Sequence, residues 1–289
     1  MQVLLQRKQD SVVVFEKIRT RRVYATLLKL LLKASPQQTV YDIDDADYLK
    51  FPPQTIEHFI RYSSRCTVGS QRLADFATAH NPQVSILTSP VVDHGYVKQS
   101  RNSVFTIGWI GYYTAHQLSL QELLFPAIAQ LTFPVKLVLM GVKKQEHIQE
   151  VETYFSQYLH VTVCIPQDID WQNETSVYQQ VAAFDVGVAP LLDTEVNRAK
   201  SAFKLKQYLS CGVPALASAT GENEHFLQDG SNGFLCNTST EYAMRLEQLV
   251  QMSDADYRQL SANALRSKAS FSMQQYCTCL LHVFRLTVV

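Results

Sequence analysis

No stretch of the 289-residue chain is apolar for long enough to span a bilayer, and no signal-peptide pattern opens it. Net charge is absent too. The 26 lysines and arginines balance 26 aspartates and glutamates, so no global field recruits nucleic acid or an anionic membrane. Internal repeats and low-complexity tracts are missing, which excludes a solenoid architecture. The six cysteines are scattered. Cys66, Cys164, Cys211 and Cys236 sit in apolar runs or tight turns, while Cys277 and Cys279 are too closely spaced, and lack partners, for a zinc ribbon. Reduced, buried thiols are the expectation, which points to the cytoplasm. What remains is the composition of an ordinary globular protein, 46% hydrophobic and 18% charged, sized for one large or two modest domains.

Along the chain, apolar runs alternate with helical periodicity. Val3–Leu5 reads as a short strand and Val12 to Lys33 as one helix, made basic by Lys17, Arg19, Arg21, Arg22, Lys29 and Lys33. Such a helix either covers a sheet or rests on a membrane surface. Val40–Ile43, Arg65–Val68 and Ser85–Leu87 read as strands, and the polar stretch Lys98–Ser103 as a domain boundary. Beyond it, Phe105–Ile110, Val135–Met140, Val161–Cys164, Val186–Ala189, Ala215–Ser218 and Gly233–Leu235 read as strands separated by helices. That alternation predicts an α/β fold with a doubly wound parallel sheet, whose ligands bind at the carboxyl ends of the strands.

The densest chemistry lies between Asp185 and Ser218. An apolar run ends at Pro190, a polar loop follows, a helix is expected from near Lys200, and Gly212-Val213-Pro214 turns into the next strand. Lys200 and Lys204 are four apart and would share one face of that helix's first turn. Cations at a helix entrance make a place for an anion, because the first backbone N–H groups carry partial positive charge. Ser201 would donate a further hydrogen bond. Gly111, just past a strand, would let the backbone approach a ligand closely, and Thr114 would add a hydroxyl.

This segment resembles the donor-binding part of retaining glycosyltransferases of the GT-B fold, the broad family 4 group also described as glycosyl transferases group 1. Asp185, Pro190, Lys200, Ser201, Lys204, Tyr208, Gly212 and Pro214 fall in register with that group's pattern. Thr39–Tyr48, Cys66–Ala77, Val84–Tyr96, Ile107–Tyr113 and Phe226–Cys236 resemble further parts of it, in the same order. The resemblance implies two Rossmann-like, doubly wound domains. Residues 1–100 would form an acceptor-side domain, 101–270 a nucleotide-sugar-binding domain, and 271–289 a helix packing back on the first. Because MQVLLQRKQD resembles the middle of the first domain, that domain is expected to lack its opening elements. A partner chain supplying them is one consequence.

The implied activity is transfer of a sugar, with retention, from a nucleoside diphosphate-sugar to a glycan or lipid-linked acceptor. The donor is a substrate; neither a cofactor nor a metal is implied, since lysines neutralise the diphosphate. The implied donor contacts are Gly111, Thr114, Lys200, Ser201, Lys204 and Gln207. Position 207 departs from the pattern, which has a glutamate holding the ribose hydroxyls; an amide has one accepting oxygen where a carboxylate has two. Position 199 is likewise Ala199 where many relatives have glutamate. Asp44 and Asp45, in the cluster Asp42-Asp44-Asp45-Asp47, are the catalytic candidates: they would orient an acceptor hydroxyl or steady charge on the reacting sugar carbon. Capping of the next segment is their other reading. Trp171 and Glu174 read as packing. A cytoplasmic protein follows, at most peripheral at the inner membrane face. The competing reading is a truncated relative that binds a nucleotide-sugar or a partner without turnover.

Overall fold

The computed structural model describes residues 12–18, 22–34 and 39–284. It divides into two compact units. One holds the described residues up to Ser89 together with Thr194–Ser201 and the last helix from Gln274; the other holds Pro90–Asp193 and Ala202–Met273.

In the first unit, strands β1 (Val13–Glu16), β2 (Thr39–Ile43), β3 (Arg65–Val68) and β4 (Val84–Ile86) form a parallel sheet in that order. The helix expected over Val12–Lys33 is therefore two elements. Val12, Val13 and Val14 are β-branched and Phe15 is aromatic, residue types that fit a pleated surface, and the strand pairs with β2 from Val13↔Thr39 to Glu16↔Asp42. Phe15 turns inward, 5% exposed, while its neighbours Val14 and Glu16 face out. Only Arg22–Ala34 is helical. The strand expected at Val3–Leu5 lies outside the described residues. Phe15, Tyr41 and Phe59 build the core, with ring centroids 5.2 and 5.6 Å from Phe59. Pro53 opens the helix Pro53–Tyr62, where its missing N–H costs nothing.

The second unit is a six-stranded parallel sheet of β5 (Phe105–Ile110), β6 (Val135–Met140), β7 (Val161–Cys164), β8 (Val186–Ala189), β9 (Ala215–Ala217) and β10 (Gly233–Leu235). The order β10-β9-β8-β5-β6-β7 is that of a doubly wound fold with its switch point between β5 and β8. The helix between β5 and β6 is interrupted by a π turn at Leu120–Leu124, just where Pro126 cannot donate the next rung. Asp185 ties the unit together. Its fully buried carboxylate accepts from the backbone N–H of Asn102 and of Thr106 and from the Asn102 amide, and it pairs with Lys98 at 2.8 Å. A buried charge so completely partnered is a structural fastening.

Candidate functional site

The switch point is built around one tyrosine. β5 and β8 pair only through Ile107↔Val186 and Gly108↔Gly187 before they diverge. There the Tyr208 hydroxyl takes over the ladder, accepting from the Ile110 N–H at 3.1 Å and donating to the Val188 carbonyl at 3.2 Å. Gly187 makes room for it, since a Cβ there would run into the Tyr208 ring. Tyr208 fixes the helix Phe203–Ser210 against the sheet. Lys204, four residues earlier on the same face, is thereby aimed at the turn that follows β5.

That turn is Gly111, with φ +154°. A Cβ on it would lie 2.6 Å from Lys204 Cε, so the lysine lies across the glycine because no side chain intrudes. Gly111 in turn rests on Gly141 (φ +106°), where a Cβ would strike the Gly111 carbonyl. Lys204 Nζ stands 2.8 Å from His116 Nε2. An ammonium has only donors, so His116 accepts through Nε2 and carries its proton on Nδ1 as a neutral imidazole. His116 is 8% exposed and wedged against Trp109, ring centroids 6.0 Å apart. The result is a cation held at the carboxyl end of the central strand, against a histidine ring nitrogen. No side chain caps the helix that carries it, so the partial positive charge of that N-terminus adds to the lysine's.

The other sequence candidates are placed as follows. Lys200 and Lys204 do not share a helix. Thr194 caps a separate turn, Glu195–Arg198, and Ala202 adopts φ +57° before the helix starts at Phe203. A left-handed residue breaks the run, and the expectation of one continuous face is corrected. Thr194–Ser201 folds with the first unit: Ser70 Oγ donates to the Ala199 carbonyl at 3.0 Å, and Arg72 meets Glu195 at 2.6 Å. Lys200 pairs with Asp45 at 3.3 Å, and the Ser201 carbonyl accepts from Thr88 Oγ1 at 3.4 Å. Asp44 pairs with Lys17 at 2.8 Å, and that hydrogen bond holds the Lys17 ammonium above the usual lysine range. Asp42 accepts from Thr67 Oγ1; burial pushes its carboxyl up, against that bond. In the second unit Thr114 is exposed on the first turn of Tyr113–Ser119. Gln207 is 8% exposed, its side chain hydrogen-bonded to Tyr178.

A family model described as glycosyl transferases group 1 matches residues 102–252. The chain belongs to this family. Solved structures share the fold of this glycosyl transferases group 1 member at low identity. Sucrose-phosphate synthase from Thermosynechococcus elongatus aligns with a TM-score of 0.71 and 13% identity over 95% of this chain and 73% of its own. Anabaena Alr3699/HepE, solved with UDP, aligns at 0.71 and 15% over 94% and 78%. The lipopolysaccharide outer core galactosyltransferase WaaB aligns at 0.63 and 12% over 91% and 79%. All three likenesses establish a GT-B architecture of two parallel-sheet domains. No curated protein sequence matches the chain.

Within this family member, the structure brings together Gly111 and Lys204, both singled out in the sequence, with His116, which is not. Five residues past the glycine, it lies one turn into a helix; nothing in its neighbours signals that a lysine 88 positions later will land on it. Lys17, the partner of Asp44, reads from the sequence only as part of a basic helix.

Proposed function

We propose that the chain is a family 4 glycosyltransferase that moves a sugar, with retention, from a nucleoside diphosphate-sugar to a glycan or lipid-linked acceptor. The observation that carries the reading is Lys204, lying across Gly111 at the end of β5 with its ammonium on a neutral histidine. When the glycosidic bond to the donor phosphate breaks, charge accumulates on the leaving diphosphate. A cation fixed beforehand stabilises that charge more in the transition state than in the ground state. Gly111 admits the diphosphate to the backbone, Thr114 is accessible to it, and Gln207 is assigned to the ribose. Asp44 and Asp45, each paired with a lysine in the first unit, are assigned to the acceptor hydroxyl or to the charge on the sugar carbon.

A lipid-linked acceptor accords with the helix Arg22–Ala34, which turns Tyr24, Leu27 and Leu30 to solvent at 63, 54 and 59% exposure, with Lys33 also exposed. A stripe of that kind suits peripheral contact with a cytoplasmic membrane face. No helix among the described residues is long and apolar enough to cross one.

Calorimetric titration with UDP, GDP and their sugar conjugates tests the donor assignment. Lys204→Ala is expected to weaken diphosphate binding by about 1.5–3 kcal/mol, one charge-assisted hydrogen bond. Equal affinity in wild type and variant would refute it.

A further inference from the structure

Trp171 projects from the loop after β7, and its position is set by the backbone around it. Asp170 Oδ1 accepts from the Gln172 N–H at 3.0 Å, and the Asp170 carbonyl accepts from Asn173 N–H and Ser176 Oγ, both at 3.1 Å. Upstream, Gln167 Nε2 donates to the Val142 carbonyl at 3.0 Å, tying this loop to the turn after β6. The indole reaches Gly141, where a Cβ would sit 3.5 Å from Trp171 Cη2. Gly141 is also the residue on which the Gly111 carbonyl rests, and Gly111 is the residue Lys204 crosses. Lys204, Gly111, Gly141 and Trp171 are therefore successive neighbours along the carboxyl ends of adjacent strands β5, β6 and β7.

The indole belongs to neither of the second unit's core clusters and is 38% exposed, although the turn around it is closely bonded. The exposed Lys143 has its Nζ 5.5 Å from the ring centroid. A flexible surface lysine is easily displaced from a ring face. Resting on the donor assignment above, we infer that Trp171 is the platform on which the heterocyclic base of the nucleoside diphosphate stacks. A nucleotide carries its base one ribose away from its diphosphate. A ligand anchored on Lys204 and running over the glycine pair brings its base to the indole, whose electron-rich face favours such stacking.

The chain has two tryptophans and Trp109 lies under Gly111, so the difference in emission between wild type and Trp171→Phe isolates the Trp171 signal. UDP or GDP is expected to quench wild-type emission, and Trp171→Phe to lose that signal. By calorimetry Trp171→Ala should bind the nucleoside diphosphate about tenfold more weakly while its affinity for inorganic pyrophosphate, which has no base, stays unchanged. Trp171→Phe, which keeps an aromatic face, should fall between, with thermal melts of both variants checking the fold. Lys204→Ala should weaken both ligands. Nucleoside diphosphate binding that Trp171→Ala leaves intact overturns the platform alone, as does an equal loss for pyrophosphate. Failure of wild type to bind either nucleotide overturns the donor assignment, and the platform with it.

Discussion

Tyr208 supplies a rung that the second sheet lacks. Its hydroxyl is fully buried and joins the Ile110 N–H to the Val188 carbonyl where β5 and β8 part. Tyr208→Phe deletes one oxygen and leaves two buried backbone groups without that partner. The expected loss is about 1–3 kcal/mol, since an orphaned buried group costs its full desolvation. Chemical denaturation measures it; a change within a few tenths of a kcal/mol would mean that the strands close on each other without the hydroxyl. Tyr113 makes the contrast. Its buried hydroxyl has no hydrogen-bond partner. Tyr113→Phe should therefore be neutral or slightly stabilising in the same assay, because it removes a polar group that burial leaves unsatisfied.

Among the elements, the helix Arg22–Ala34 is the one whose outward face calls for an explanation. Ala25 and Leu32 are buried, while Tyr24, Leu27 and Leu30 face solvent. Helical spacing puts the two sets on opposite sides. If the outward stripe meets lipid, the protein should co-sediment with vesicles containing an anionic phospholipid and less with neutral ones. The double variant Leu27→Glu/Leu30→Glu should lower the bound fraction several-fold without shifting the melting temperature much, since both residues are already solvated. Sedimentation that is indifferent to both lipid charge and the double variant would remove the membrane reading. The segment Glu195–Phe203 teaches a different lesson at this scale. Its composition suits a continuous helix, yet a capped turn, a left-handed alanine and a second helix occupy it, and the two lysines four apart acquire different partners.

For the whole molecule, burial of titratable groups sets how stability responds to pH. Lys206 is fully buried, its ammonium 5.1 Å from the Phe226 ring centroid, and burial pulls it down from 10.5 to about 7, with Glu222 opposing. Above pH 7 the folded chain has released that proton while the unfolded chain still holds it. Stability therefore rises with pH through this window. The buried thiols of Cys66, Cys211 and Cys236 act in the opposite sense: burial pushes them up from 9.0 to about 12, so above pH 9 the unfolded chain loses protons first and stability falls. Melting temperatures of wild type and Lys206→Met, followed from pH 6 to 8.5, isolate the lysine. The variant's advantage should be largest at pH 6 and shrink toward pH 8.5. A constant difference would mean that Lys206 keeps its proton throughout.

Much of this was legible in the sequence, for a physical reason. Most strands of the second sheet are buried on both faces and so are near-continuous apolar runs; five of its strands, and β3, can be read to the residue. Gly111 and Lys204 declare themselves through local rules, a turn past a strand and a cation near a helix start. Val13–Glu16 was not legible as a strand because a basic, leucine-rich stretch follows it closely and hides the change of period from 2 to 3.6. What only the tertiary structure decided are the long-range pairings: His116 beneath Lys204, Lys200 with Asp45, Trp171 beside Gly141, and Tyr208 bridging two strands. Local sequence governs backbone dihedrals and burial periodicity. Which side chain finishes against which partner depends on strand order and on a single left-handed residue, and neither is set by the residues nearest to it.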